Sequence, residues 1–316
     1  MSSVTDTEAP LAPESRRSDK SAKRRRILGW RSFIWVVPGL LLIGVFVYYP
    51  LVQNIYLSFF QWSVFKPTPA FVGAANYIKA VGDPIFWRSI FNNTAYAVVS
   101  LVFQVVGALI IAALVEGFVR KRGGLLRAIY FIPSAISLTV AGLLFYFIYQ
   151  PDSGLLNEFL RIVGLGNFAQ AWLGQESTAI WAIIVMSQWQ SFGYTTLLYS
   201  VAIQRIPKEL YEAADLDGVG ALGRIWHITT PLVREMSTLL IIVTMTGAFQ
   251  VFNEVMVMTA GGPNNSSQVL GTRLYDAGFI NNDFGYAAAI ATVLFLITTM
   301  LAVVQLWISR RRRVEW

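Results

Sequence analysis

Residues 204–231 read QRIPKELYEAADLDGVGALGRIWHITTP, a polar stretch between two long apolar ones. Pro207 suits the first position of a helix, where a missing N–H costs nothing, and Glu209 suits the helix dipole in the first turn. Gly218 stands where a left-handed residue ends a helix, so we expect a positive φ there. The stretch therefore predicts two short helices, the first ending before Gly218 and the second running from Ala221 to His227.

Both ends of this stretch carry further helix signals. Thr230 is expected to cap the following helix, with Pro231 in its first turn. An apolar stripe at helical spacing runs along the first short helix and consists of Leu210, Ala213, Ala214 and Leu216. We interpret the stretch as a structured loop of two helices that joins two apolar segments.

The spacing of this loop resembles the EAA loop of ABC importer permeases. Glu212-Ala213-Ala214 is followed at matching spacing by Gly218, Ile228 and Pro231, while Thr230 replaces the usual Leu. In that family the loop docks on the ATPase subunits, and Glu212 would face a basic residue there or fix the loop's own fold. The resemblance implies a coupling role for Glu212, Ala213, Ala214, Asp217, Gly218, Ala221, Leu222 and Arg224.

The composition excludes several other classes of protein. The 316 residues are 55% hydrophobic, which is too apolar for an ordinary soluble domain. There is no cysteine and one histidine, His227, so a thiolate or histidine-built metal site is not expected. No GxxxxGK[ST], GxSxG or HExxH motif occurs, so we predict no catalytic residue, no metal, no cofactor and no ATP hydrolysis by this chain.

Long apolar runs predict an all-α integral membrane protein with six transmembrane helices. They lie at about 33–60, 92–115, 125–149, 178–203, 232–258 and 285–309. Twenty of the 25 Lys and Arg residues fall on the side that carries both termini and the EAA-like loop. The positive-inside rule therefore predicts a multi-pass protein of the cell membrane with both termini cytoplasmic, and the basic runs orient the chain rather than bind nucleic acid.

These features divide the chain into four predicted regions. Residues 1–29 form a disordered basic cytoplasmic tail, and residues 30–61 form the first transmembrane helix. Residues 90–309 form the permease core of five transmembrane helices with the EAA-like loop 204–231. Residues 310–316 form a basic cytoplasmic end.

Polar side chains inside the fourth and fifth spans form the second candidate site. Polar groups in a membrane are costly, and they line a solute path or hydrogen-bond neighbouring helices. Gln250, Asn253 and Glu254 are spaced i, i+3 and i+4, which predicts one helical face. Gln188 and Tyr194 of the fourth span complete the predicted path, which suits a hydroxyl-rich solute. Interhelical hydrogen bonding is the alternative.

The resemblance extends over about residues 90–309 and is closest to the sugar and glycerol-phosphate (maltose-type) branch of binding-protein-dependent permeases. Asn93-Thr94, the segment around Asn253 and residues 284–297 carry it. It implies a type I ABC importer permease fold. The implied partners are a second homologous permease, two cytoplasmic ATP-binding subunits and an extracytoplasmic solute-binding protein, all around a lipid bilayer.

Two rival functions remain. One is an ABC importer of the same kind that carries glycerol-phosphate compounds or another polar solute. An anionic solute favours basic residues near the path, and the fourth and fifth spans show none there, which weakens this alternative. The other is a channel or membrane enzyme that acts alone, which would not explain the EAA-like loop.

Overall fold

The structure is a computed structural model that describes residues 34–118 and 123–310. The first apolar run forms a single helix. The chain divides into two units, Met1–Asn54 and Ile55–Trp316. Helix α1 (Ile34–Leu57) contains a π-helical segment at Gly44–Tyr48 and exposes most of its apolar side chains. The predicted tail 1–29 and residues 311–316 of the predicted basic end lie outside the described residues, as do Arg120 to Arg122.

A short hairpin follows α1. Strands β1 (Phe60–Ser63) and β2 (Lys66–Phe71) pair antiparallel, and the small helix α2 (Ala75–Gly82) comes next. Asn76 of α2 is buried and donates to the backbone oxygens of Ser58 and Phe60 at 2.8 and 3.0 Å. The amide group therefore satisfies backbone acceptors where the hairpin meets α2.

Helix α3 (Pro84–Gly117) is the longest apolar helix and passes through a π-helical segment at Leu101–Gly107. Its start is fixed by Asp83, whose carboxylate accepts from the Ile85 N–H at 2.9 Å, with Pro84 in the first turn. The same carboxylate pairs with Arg273 at 2.6 Å and accepts from Tyr286 at 2.7 Å. Burial would raise the pKa of Asp83, but these hydrogen bonds hold it below its ordinary value.

The next span is broken. Helices α4 (Gly123–Ala135) and α5 (Leu138–Ile148) meet at a bend of 91°, close behind Pro133. Proline inside a helix removes a hydrogen bond and favours a kink. A short helix α6 (Leu155–Ile162), the turn Gly166–Phe168 and the 25-residue helix α7 (Ala179–Ile203) follow.

The rest of the chain contains the loop and the last two spans. The loop holds α8 (Lys208–Leu216) and α9 (Ala221–Leu232), and α9 meets α10 (Arg234–Phe249) at a bend of 78°. After a break come α11 (Asn253–Met258), α12 (Leu270–Tyr275) with a π-helical turn at Asp276–Ile280, and the long α13 (Phe284–Arg310).

Helix length and hydropathy do not by themselves give the predicted six spans. Within the described ranges, α1, α3 and α13 are long and apolar enough to cross a membrane, and counting each bent pair as one span gives up to five. The remaining long helix, α7, lacks charged residues but carries Gln188, Gln190 and several hydroxyl side chains in its middle. These polar groups lower its hydropathy, so α7 is a span only if its polar side is covered by protein.

The hydrophobic core consists of two clusters of buried residues. One lies beside the first half of α3 and α7, and the other lies beside the second half of the same two helices. The first joins α3, α5, α7, α11 and α13 around Tyr96, Ile183, Val255 and Ile290. The second joins the end of α3, the end of α7 and α10, and includes Ile225 of α9. The second cluster therefore seats the loop helices directly against the ends of the spans.

Two glycines permit close helix contacts. A Cβ added at Gly193 of α7 would lie 1.9 Å from the backbone oxygen of Tyr130 in α4. A Cβ added at Gly285 of α13 would lie 2.0 Å from the backbone oxygen of Phe60 in β1. Small residues at such positions let backbones approach where attraction depends on van der Waals contact.

Candidate functional site

The loop folds as a helix, a tight turn and a second helix. Pro207 precedes α8 rather than occupying its first helical position. At the other end Gly218 has a φ of +70°, as expected, and its N–H donates to Asp215 O at 3.2 Å. The Val219 N–H donates to Ala214 O at 2.9 Å, which completes a Schellman turn. The backbone here therefore needs a residue that tolerates a positive φ, which glycine adopts without strain.

The second loop helix is longer than predicted. It does not end at His227 but passes through a π-helical segment, Ile225–Thr229, and ends at Leu232. Thr230 does not cap the next helix, because its hydroxyl donates to Ile225 O at 2.8 Å inside α9. Pro231 lies in the last turn of α9 and not in the first turn of the next helix, which begins at Arg234, so this prediction is also wrong. The π-helical segment keeps the chain helical up to the proline, so no new cap is needed.

Side chains join the two loop helices. Asp215 of α8 forms an ion pair with Arg224 of α9, and the hydroxyls of Tyr211 and Thr229 are 3.0 Å apart. Burial raises the pKa of Tyr211, although the hydrogen bond to Thr229 acts in the opposite direction. The two helices therefore form one unit, and Arg224 has a partner within the loop.

The predicted apolar stripe of α8 is not buried within this chain. Ala214 is buried, but Leu210 is exposed and Leu216 is 90% exposed. Leu222 and Trp226 of α9, one turn apart, are also exposed. Sequence reasoning missed Trp226, whose spacing of four from Leu222 was the available signal. The loop thus presents large apolar side chains outward, where they are available to a partner.

A cleft of about 280 Å³ lies between the loop and the ends of α3 and α7. Glu116 of α3 closes one wall, held by Arg127 at 2.9 and 2.6 Å and by Gln204 at 3.2 Å. Glu212 lines the cleft, is exposed, and forms no ion pair with the described residues. Of the two roles predicted for Glu212, its exposure fits contact with a partner better than a role in the loop's own fold.

The remaining coupling residues differ in exposure. Ala213 and Asp217 are exposed, whereas Ala221 and Arg224 are partly covered. The structure therefore brings the predicted coupling residues together on one loop, with Glu212, Leu216 and Leu222 open to contact.

The second candidate site contains a buried polar ladder along α3. Gln188 of α7 accepts from Gln104 at 2.9 Å and donates to Ser100 at 3.1 Å. Tyr96 donates to Glu254 of α11 at 2.7 Å, and it is also a hydrogen-bond neighbour of Ser187. All of the side chains in these pairs are buried. Sequence reasoning missed the α3 members of the ladder, although their spacing of four along one helix was visible: Tyr96, Ser100 and Gln104.

The predicted single face of the fifth span is wrong. Helix α10 ends at Phe249, and Gln250 and Asn253 lie on opposite sides of a break between α10 and α11. The cause is a distant side chain: Asn93 donates to Ala248 O at 2.8 Å and accepts from the Leu270 N–H at 2.9 Å. The buried amide thus pairs with the Ala248 carbonyl, which an unbroken helix would have paired internally, and with an N–H in the first turn of α12, which has no partner inside its helix.

Exposure separates the predicted path residues into two groups. Gln188 and Glu254 are buried and hydrogen-bonded between helices, which fits the alternative of interhelical bonding. Tyr194, Gln250 and Asn253 are exposed. The exposed group offers a phenol and two amides, which can donate to and accept from the hydroxyl groups of a polar solute.

Side chains of α7 also bond to the chain at the bend between α4 and α5. Gln190 donates to Ile136 O at 3.0 Å, and Ser134 donates to Gln190 O at 2.7 Å. The Tyr194 N–H donates to the same Ser134 hydroxyl at 3.0 Å. Polar side chains therefore hydrogen-bond to the backbone both at the bend between α4 and α5 and at the break between α10 and α11, and exposed path candidates lie beside these two places.

Comparison with known proteins identifies the relatives of this fold. Residues 104–314 match the family described as binding-protein-dependent transport system inner membrane component. The chain is 48% identical over 275 residues to the probable ABC transporter permease protein YurN of Bacillus subtilis, covering 87% of this chain and 94% of YurN. It is 31% identical over 290 residues to the lactose transport system permease protein LacF of Rhizobium radiobacter, covering 90% and 95% of the two chains.

A solved structure shares the architecture. A chain of a bacterial ABC transporter involved in the import of the acidic polysaccharide alginate matches with a TM-score of 0.79, over 93% of this chain and 99% of that chain. The two sequences are 20% identical, so this likeness is one of fold. It supports the predicted type I ABC importer permease fold.

Proposed function

Because the chain belongs to the family of binding-protein-dependent transport system inner membrane components, we propose that it is the permease subunit of an ATP-driven importer carrying a sugar or oligosaccharide into the cell. The observation that carries the proposal is the loop of α8 and α9. Its two helices are joined by side-chain contacts and packed against the ends of the spans, with Glu212, Leu216 and Leu222 facing outward. Exposed large apolar side chains of this kind are typical of a surface that binds a partner protein.

The partners follow from this role. Two cytoplasmic ATP-binding subunits would hydrolyse ATP, and one of them would contact the loop. A second homologous permease would complete the passage, and an extracytoplasmic solute-binding protein would deliver the solute. When ATP closes the two ATP-binding subunits on each other, the spans would change from an inward-open to an outward-open state. This requires that the contacts of the loop differ in free energy between these two states.

The solute class rests on the polar groups and on the relatives. LacF is named for lactose, and the trehalose/maltose permease MalF of Thermococcus litoralis is 30% identical. The exposed candidates Tyr194, Gln250 and Asn253 are uncharged, and α7 and α11 carry no Lys or Arg. An anion such as a glycerol-phosphate compound would favour a basic side chain there, so a neutral sugar fits better.

Purification from native membranes tests this function. The tagged chain should copurify with an ATP-binding subunit and a second permease, and hydrolysis by the complex should rise when the loaded binding protein is added. A stable homo-oligomer that lacks any ATPase would instead support the stand-alone channel or membrane enzyme.

Gly218→Val is expected to uncouple the importer. The φ of +70° at Gly218 costs a branched residue about 1–2 kcal/mol, and the open space around it leaves the cost to the backbone itself. Membrane insertion should persist, while uptake and substrate-stimulated ATP hydrolysis should fall about tenfold, the factor that corresponds to 1.4 kcal/mol. Both rates are measured on the reconstituted complex.

Gly218→Asn is the matched control, since Asn tolerates the left-handed region. It should retain most coupling. Glu212→Lys, which reverses an exposed charge without changing the turn, should also lower coupling. Full coupling in Gly218→Val and Glu212→Lys would show that this loop does not contact the ATPase.

The proposed orientation places both termini and the loop in the cytoplasm. The natural chain has no cysteine, so single cysteines can be introduced cleanly. An impermeant maleimide added to intact cells should label cysteines at Ala70, Gly174 and Asn265. It should leave unlabelled those at Ser2, Gly123, Gly220 and Glu315. Labelling at Gly220 from outside would reverse the assignment.

A further inference from the structure

Helix α6 presents large apolar side chains that the rest of the described chain leaves uncovered. Leu155, Phe159 and Ile162 are 70%, 60% and 76% exposed and are spaced by four and three residues. This spacing puts them on one side of the helix. Val163, directly after the helix, is also exposed.

The orientation of α6 is fixed by a buried side chain on its opposite side. Asn157 is 1% exposed and donates to Pro151 O at 3.0 Å and to Gln170 O at 2.9 Å. Its side-chain oxygen accepts from the Trp172 indole at 2.8 Å. Leu156 packs against the core. With these contacts in place, the apolar side of α6 cannot rotate inward without leaving a buried amide unpaired.

The charged residues of α6 lie along one edge of the exposed apolar side. Glu158 borders that side, three residues from Leu155 and four from Ile162. Arg161 lies farther round the helix and forms an i, i+3 ion pair of 3.3 Å with Glu158. Arg161 also donates to Asp152 O at 3.2 Å, so its guanidinium is held beside the preceding turn. The helix therefore has an apolar side, a charged edge and an anchored side.

This pattern fits a helix lying at the surface of a bilayer. An interfacial helix buries an apolar face at the boundary of the acyl chains and keeps its charges in water. Helix α6 follows α5, half of a bent span that itself exposes Val140, Leu143 and Phe147. Exposed Phe168 lies just beyond α6, and aromatic residues are enriched at this depth.

We propose that α6 lies in the membrane–water interface, with Leu155, Phe159 and Ile162 in lipid and with Glu158 and Arg161 at its aqueous edge. A soluble partner is the less suitable occupant, because its reversible contact would expose these apolar side chains to water between encounters. The proposal needs the membrane location of the family but neither ATP nor a sugar, so it stands or falls separately from the importer function.

Adjacent single cysteines test the proposal in the full-length protein. Phe159→Cys and the matched control Glu158→Cys are labelled with an environment-sensitive NBD fluorophore. The protein is then placed in vesicles of phosphatidylethanolamine and phosphatidylglycerol without any binding protein. At position 159 we expect blue-shifted emission that is quenched several-fold more by lipids with a nitroxide near the headgroup than by iodide. Position 158, at the charged edge of the helix, should be quenched more by iodide and less by the headgroup nitroxide than position 159.

Ile162→Cys serves as a second position on the apolar side, in case the Phe159 variant folds poorly, and it should behave like position 159. Aqueous emission and iodide quenching at both apolar positions would overturn the proposal. If shielding at these positions appeared only after the solute-binding protein was added, the surface would be a protein-docking site and the lipid assignment would be wrong.

Discussion

Gly193→Ala is expected to lower the stability of the folded protein strongly. The added Cβ would lie 1.9 Å from Tyr130 O and 3.0 Å from Phe131 Cα, and both of these are backbone atoms that no rotamer change can move. Helices α4 and α7 would have to separate, which also strains the Ser134–Gln190 hydrogen bond of 2.7 Å. Overpacking costs about 1–3 kcal/mol, and backbone contact puts this case at the upper end.

The measurement is the fraction of monodisperse protein and its thermal stability in detergent. Gly39→Ala in α1 is the matched control, because its added Cβ meets no atom within 4 Å. That variant should behave like the natural chain, or slightly better, because alanine favours a helix by about 1 kcal/mol over glycine. Natural stability of Gly193→Ala would mean that α4 and α7 are farther apart in the membrane than in this structure.

Gln188→Leu and Asn253→Leu are expected to fail in different ways. Removing Gln188 leaves Ser100 and Gln104 without a buried partner, which costs about 1–3 kcal/mol of stability. Asn253 is exposed within this chain, so its loss should leave the fold intact. If Asn253 contacts the solute, Asn253→Leu should lower uptake per assembled complex about tenfold, as expected when a hydrogen bond worth about 1.4 kcal/mol is lost.

Uptake normalised to assembled complex separates these effects. Gln188→Leu should lower the amount of complex more than its specific activity, and Asn253→Leu should do the opposite while sparing basal ATP hydrolysis. Natural uptake per complex in Asn253→Leu would remove Asn253 from the path and leave the importer role intact.

Tyr96 and Glu254 form a second buried pair between helices. Both side chains are buried within this chain and bond to each other at 2.7 Å. We therefore assign them to joining α3 with α11, and we propose Tyr194, Gln250 and Asn253 as the residues that meet the solute. This division of the path candidates follows from burial, which a list of polar residues in a span cannot supply.

Local rules made the loop predictable from sequence. A left-handed residue after a short helix selects glycine, so the turn at Gly218 was visible in a single sequence, and the structure shows the positive φ. Apolar runs longer than a bilayer thickness indicated a membrane protein, and the spacing from Glu212 to Pro231 indicated the family. Each of these signals depends on residues within a few turns of one another.

Tertiary contacts decided what local rules missed. The fifth span is broken because Asn93, more than 150 residues earlier, pairs with the carbonyl at the end of α10. Thr230 is not a cap, because a π-helical segment carries α9 past it. Of the predicted stripe of α8, Ala214 is buried but Leu210 and Leu216 are exposed, and the core beside the spans contains Ile225 of α9 instead. A hydrogen bond or a packing site between distant segments leaves no periodic pattern in either one, so only the folded chain reveals it.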